Sequence, residues 1–155
     1  MKYLFLSLTL LSQIALWGQN EADELCADLV IGAIEVLEYQ EKCLILQYTV
    51  YNQGEGSANL FGAKKKRTDN IVVRAHFSGD KQLNRGDVTA GATYIYQKDV
   101  PNNGVLNNGE HYTGIIEIDR RKKSNYVSVI LLQVDAMTTL VECDETNNVG
   151  WMIFD

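Results

Sequence analysis

An all-β fold, an immunoglobulin-like antiparallel β-sandwich of about seven strands, is what this sequence predicts. Three observations predict it. Short stretches alternate apolar and polar residues, turn-forming clusters recur between them, and no long segment carries helical periodicity. A jelly-roll or small barrel built from the same strands is the runner-up.

The first element is not a strand. Lys2 precedes an almost wholly apolar stretch over 3–16, and Gly18 offers a small residue for cleavage near Gln19. Residues 1–19 therefore read as a secretory signal peptide, with a buried N-terminal helix as the alternative. The stretch is shorter than the ~20 residues of a transmembrane helix. No second apolar run follows it, so no membrane span is expected. Cys26 follows Asp23-Glu24-Leu25 rather than a small residue at the cleavage site, which argues against a lipid anchor. Residues 20–27 are expected to be a linker and 28–155 a single domain. Roughly 135 residues remain after cleavage, enough for one core.

A first strand over 28–37 begins with Leu29 and Ile31 on one face but continues with Ile34 and Val36 on the other. The change of phase across Gly32-Ala33 predicts a bulge, or a strand that switches sheets. The strand over 43–51 alternates cleanly, with Leu44, Leu46, Tyr48 and Val50 on one face. It ends in Asn52-Gln53-Gly54-Glu55-Gly56-Ser57, a strong turn signal. Further strands are expected over 71–77, 93–98, 112–118, 126–135 and 149–154. Gly79-Asp80, Arg85-Gly86-Asp87, Asn102-Asn103-Gly104 and Asn107-Asn108-Gly109 supply turns between them. The stretch 126–134 is apolar on both faces and suits a central strand covered on each side. Pro101 falls in a loop.

The net charge of −6 disfavours nucleic acid and anionic lipid as partners. The two histidines, His76 and His111, pair with no recognisable nucleophile or metal motif. Cys-x-x-Cys, His-Glu-x-x-His and phosphate-loop patterns are absent from the sequence. An uncharacterised hydrolase is the minor alternative; no cofactor is expected.

Three blocks in order carry a family resemblance. Asp28-Leu29-Val30 leads to Tyr48-Thr49-Val50-Tyr51-Asn52-Gln53-Gly54, with Ala58 four residues on. His76-Phe77-Ser78-Gly79-Asp80 runs on to Gly86-Asp87. The most specific is the arm over 134–148, ending Glu142-Cys143-Asp144-Glu145-Thr146-Asn147-Asn148 directly before the last strand. This order resembles the CARDB family, a cell-adhesion-related immunoglobulin-like module of bacterial and archaeal surface proteins. The resemblance implies an adhesion or interaction role, secreted or periplasmic and at the cell surface, with a surface protein or polysaccharide as partner. It marks Asn52, Gly54, Asp135, Glu142, Asp144, Glu145, Thr146, Asn147 and Asn148 as signature residues. At the first turn Gly54 is expected at positive φ and Asn52 bonded to its own turn backbone. The chain departs from the family at Lys64-Lys65-Lys66-Arg67, where many relatives have a short polar link.

Export permits disulfides, and three cysteines allow three pairs. In an immunoglobulin-like sandwich the chain before the first strand lies beside the connection that holds Cys143. Cys43 lies at the far end of that strand, some 30 Å away at ~3.3 Å per residue. Partners need Cα atoms within about 7 Å, so Cys26–Cys143 is the expected bridge and Cys43 is left over. Three reduced thiols are the alternative.

Other candidates carry less. Asp80, Asn84 and Asp87 in one loop, with Glu142, Asp144 and Glu145 in another, are oxygen donors of the kind calcium takes. EF-hand spacing is missing and the loops are expected at opposite ends of the sandwich, so solvated turn residues are the favoured reading and a calcium-binding domain the alternative. Tyr94, Tyr96 and Tyr112 offer a sugar platform if exposed and ordinary packing if buried. Trp151 reads as a packing residue. The basic runs over 64–67 and 120–123 contain no interleaved aromatics, and they read as solubilising, edge-protecting residues rather than as sites for acidic polymers.

Overall fold

The computed structural model describes residues 25–61, 70–123 and 127–154. The expected signal peptide and the basic loop over 64–67 lie outside those residues. Among the described residues there are nine strands: β1 (Leu29–Tyr39), β2 (Cys43–Asn52), β3 (Ala58–Asn59), β4 (Val72–Ser78), β5 (Val88–Tyr94), β6 (Val105–Leu106), β7 (His111–Asp119), β8 (Val129–Gln133) and β9 (Val149–Ile153). Two antiparallel sheets, β1-β2-β7 and β5-β4-β8-β9, pack as a sandwich, and the short pair β3-β6 bridges one end. Among the described residues the sheets do not close into a barrel, which removes the small-barrel alternative.

Alternation builds the layers. Leu44, Leu46, Tyr48 and Val50 of β2 are buried on one face, and beside them β7 turns Tyr112, Ile116 and Ile118 inward. Ala75 and Phe77 of β4, Ala90 of β5, and Ile130 and Leu132 of β8 meet them from the other sheet. β8 is flanked by β4 and β9, and its residues Val129 to Leu132 are all buried, as a two-sided apolar run requires. In β1 the register slips between Ile31 and Ile34, so the phase change at Gly32-Ala33 is a β-bulge. A second slip follows between Val36 and Glu38.

One strand is displaced from its expected position. Strand structure runs over Val88–Tyr94, not 93–98, and Gln97–Asp99 form a 3-10 turn. Ile95 is fully buried, and its burial gives that stretch the look of a strand centre. The real strand carries Ala90-Gly91-Ala92, with no strand propensity of its own. Its composition answers to the opposite layer: a Cβ on Gly91 would lie 2.3 Å from the carbonyl oxygen of Glu117 in β7. The stretch 126–135 is likewise shorter as a strand, because Asp135 takes a φ of 45° and leaves the sheet.

Candidate functional site

At one end of the sandwich β2 finishes on Asn52, whose carboxamide is fully buried. Its Oδ1 accepts from the backbone N–H groups of Asp28 (3.0 Å) and Gly54 (3.1 Å). Its Nδ2 donates to the carbonyls of Gly56 (2.7 Å) and Leu106 (2.9 Å). Two acceptor and two donor positions are all that a carboxamide has, so Asn52 is saturated. It fastens the chain before β1, its own turn and β6 together.

The turn after Asn52 grips the N-terminal lead-in along its backbone. Gln53 N–H donates to the Asp28 carbonyl (2.8 Å) and Gly56 N–H to the Cys26 carbonyl (2.8 Å). Gln53 Nε2 reaches the Asp28 carboxylate at 2.9 Å. Gly54 does not take the positive φ expected of it; among the described glycines only Gly104 and Gly109 do. Close approach requires the glycine instead: a Cβ there would lie 2.4 Å from the Cys26 carbonyl oxygen and 2.6 Å from Asp28 N. Gly54→Ala is therefore expected to cost about 1–3 kcal/mol through forced displacement of the lead-in. Urea unfolding measures it, and a cost near zero would mean that the segment is not held this closely.

The arm after β8 closes the other side. Asp135, buried at φ 45°, accepts from Thr139 N–H (2.9 Å) and Leu140 N–H (2.7 Å), which curls the chain back. Glu142 then reaches the lead-in: one carboxylate oxygen accepts from Leu29 N–H, the other from Asn148 Nδ2 at 3.0 Å. Cys143 N–H donates to the Ala27 carbonyl (2.8 Å), and Cys143 is disulfide-bonded to Cys26 with Cα atoms 5.5 Å apart. Cys43 is a free thiol beside Gln40. Glu145 accepts from Glu142 N–H, and Asp144 accepts from the N–H and hydroxyl of Thr146. Asn147 Nδ2 donates to both oxygens of Asp28. The structure thus brings the signature residues to one end, where Asn52, Gly54, Glu142 and Asn147 meet the lead-in over 25–29 and the others shape the arm. Asp28, Gln53 and Gly56 complete the clasp, and sequence reasoning did not single them out as site residues because their contacts run largely through the backbone.

Burial pushes the Glu142 carboxyl up to about 7, against the pull of its Leu29 and Asn148 donors; the carboxylates of Asp135 and Glu145 add to the rise. The folded chain therefore holds this proton more tightly than the unfolded chain, whose ordinary value is 4.5. The associated stability is complete below 4.5 and is lost as pH rises through 7. His76 works in the opposite direction around its ordinary 6.5, because burial lowers its pKa. The contribution of Glu142 is therefore read as a difference: wild type should lose stability relative to Glu142→Gln between pH 5 and 7. Parallel curves across that interval would contradict it.

The remaining candidates lie elsewhere. The loop of Asp80, Asn84 and Asp87 follows β4 at the Ser78–Val129 end of the sheet, whereas the arm leaves β8 beyond Gln133. Asp80 accepts from Gln82 N–H (2.9 Å) and Asp87 from Asn84 N–H (2.7 Å), so both carboxylates shape the loop. Among the described residues no group of three or more His, Cys, Asp or Glu side chains is placed to hold a metal ion. His76 lies in β4 with Nδ1 3.4 Å from the Thr89 hydroxyl, and His111 meets the Tyr51 ring at a tilt in the other sheet. Tyr112 packs in the core against Tyr48, away from the exposed Tyr94 and Tyr96, so the three tyrosines form no common platform. In the run after β7, Arg120 covers the Tyr39 ring and Arg121 pairs with Asp119. Lys122 donates to the Thr89 carbonyl on edge strand β5, and Lys123 lies over Phe154. Trp151, expected to be packing, is 45% exposed on the outer face of β9.

No protein-family model matches the chain, and neither does any curated protein. Among solved structures it is similar to the CARDB domain of a Pyrococcus furiosus protein, crystallised in complex with di-metal ions. The identity is 16%, with 83% of this chain and 91% of that domain covered, at a TM-score of 0.48. A solution structure of the same domain gives a TM-score of 0.47. β-Glucosidase 3B of Thermotoga neapolitana is similar at 13% identity and a TM-score of 0.41 over 82% of this chain. The chain spans only 16% of that enzyme's length. Among the described residues no helix is long and apolar enough to cross a membrane.

Proposed function

We propose that this chain is a secreted, non-enzymatic interaction module of CARDB type, working in the periplasm or at the cell surface against a surface protein or polysaccharide. One observation carries the reading. The polar constellation that the sequence marks is spent on the fold: Asn52, Asp135, Glu142 and Asn148 are buried, and the exposed Asp144, Glu145 and Thr146 bond within the arm itself. Nothing in it is poised as nucleophile, acid or base toward a bound molecule. Recognition then falls to the outer sheet faces and loop rims. The signal-like residues 1–19 and the disulfide between Cys26 and Cys143 support export.

The test has two parts on the exported protein. Labelled protein should adsorb saturably to intact cell envelope. A substrate screen should find no turnover that His76→Ala or His111→Ala abolishes. Turnover lost in either variant would overturn the non-enzymatic reading, and absence of saturable adsorption would overturn the interaction role.

A further inference from the structure

Strand β9 divides its side chains sharply. Gly150 and Met152 turn inward, the first so close to Ile31 that a Cβ would lie 2.3 Å from its side chain. Trp151 and Ile153 consequently face out, 45% and 59% exposed. Ile153, Val129, Ser128 and the loop from Gly79 to Gln82 line a groove along this part of the four-stranded sheet, and Trp151 stands at its edge beside Lys81. Hydrogen bonds hold the loop in place: Gln82 N–H donates to Asp80 Oδ1 (2.9 Å) and Asp80 N–H to the Ser78 hydroxyl (3.3 Å). The Lys81 ammonium rests 3.6 Å from the centre of the Trp151 ring.

We propose that this groove binds a neutral saccharide, with the Trp151 ring at its edge as platform. The proposal rests on the reading of the chain as a binding module and names the ligand class. A pyranose presents a C–H face, which suits an exposed indole beside an aliphatic floor. Its rim of hydroxyls needs short-range donors and acceptors, and the Gln82 carboxamide, Ser128 hydroxyl, Lys81 ammonium and Asp80 carboxylate line or overlook the same groove. Charge selects among sugars. The groove residues carry one cation, Lys81, and one anion, Asp80, so an acidic or sulfated polymer finds no net attraction there. An exposed cation–π contact is weak, and the Lys81 ammonium swings from the ring to a sugar hydroxyl when the ligand stacks.

In the exported chain, with residues 1–19 removed, Trp151 is the one tryptophan, so intrinsic fluorescence reports on the platform itself. Cellohexaose, chitohexaose, xylohexaose and mannohexaose serve as neutral probes, with polygalacturonate and heparin as charged comparators. At least one neutral hexasaccharide is expected to shift the fluorescence saturably. Isothermal titration of the variants should then show Trp151→Ala binding roughly tenfold or more weakly, a loss of about 1.4 kcal/mol. Trp151→Phe, which keeps an aromatic face, should retain binding, and Gln82→Ala in the exposed loop should weaken it without altering the unfolding temperature. Tyr94→Ala and Tyr96→Ala should bind as wild type. Binding of charged polymers alone, of none of the probes, or undiminished binding by Trp151→Ala would overturn the proposal. Hydrolysis of a bound hexasaccharide would instead overturn the non-enzymatic reading and leave the groove assignment standing.

Discussion

Asn52→Ala is expected to be the most damaging single substitution in the chain, costing about 4 kcal/mol or more and leaving little native protein at 37 °C. The substitution strands the N–H groups of Asp28 and Gly54 and the carbonyls of Gly56 and Leu106 at a site with no solvent access. Each buried group left without a partner costs about 1–3 kcal/mol, so two stranded donors alone consume a large share of a typical domain's 5–15 kcal/mol. Asn52→Asp should fare no better. It keeps the two acceptor contacts but turns an anion toward the Gly56 and Leu106 carbonyls. Gln53→Ala, at the neighbouring exposed position, should cost less than about 1 kcal/mol. Urea unfolding of the three variants measures the contrast. A cost for Asn52→Ala near that of Gln53→Ala would remove Asn52 from the centre of the clasp.

Loss of the Cys26–Cys143 bridge is expected to come next. The two cysteines are 117 positions apart, so the bridge closes nearly the whole domain into one loop. Chain-entropy reasoning gives about 4.7 kcal/mol for a loop of ~100 residues, an upper figure because the unfolded chain is not fully random. The double substitution Cys26→Ser/Cys143→Ser should therefore lower the unfolding temperature by roughly 10 °C. Cys43→Ala should shift it little, since the half-buried thiol bonds to Gln40 at the end of the β1–β2 hairpin. Peptide mapping without reduction provides the covalent check: a linked peptide containing Cys43 would contradict the strand order that separates it from the other two.

How far the sequence discloses this arrangement depends on where each residue's partners lie. β2 is legible because its determinants are in its own pattern: four alternate apolar side chains face the core, and a glycine-rich turn follows. The bulge at Gly32-Ala33 is legible for the same reason. β5 is not, because Gly91 answers to a carbonyl in another layer and contributes nothing to local periodicity. Gly54 shows the same limit at finer grain: a turn glycine suggests positive φ, whereas here it admits a neighbouring backbone. The signature arm is recognisable residue by residue, but its partners are backbone groups of Ala27 and Leu29, more than a hundred positions away. Trp151 reads as core because tryptophan in a strand usually packs; only the inward turn of Gly150 and Met152 sends it out.

The closure of the signature residues onto the N-terminal lead-in is the claim on which the functional reading stands, and amide hydrogen exchange tests it most directly. Asp28 and Leu29 donate to Asn52 and Glu142, and Cys143 donates to Ala27. With the disulfide intact, these three amides should exchange only through global unfolding, as slowly as the central amides of β2. Exchange at the rate of an open loop, with the β2 amides still protected, would mean that the arm and lead-in stand apart and that the signature is free to meet a ligand.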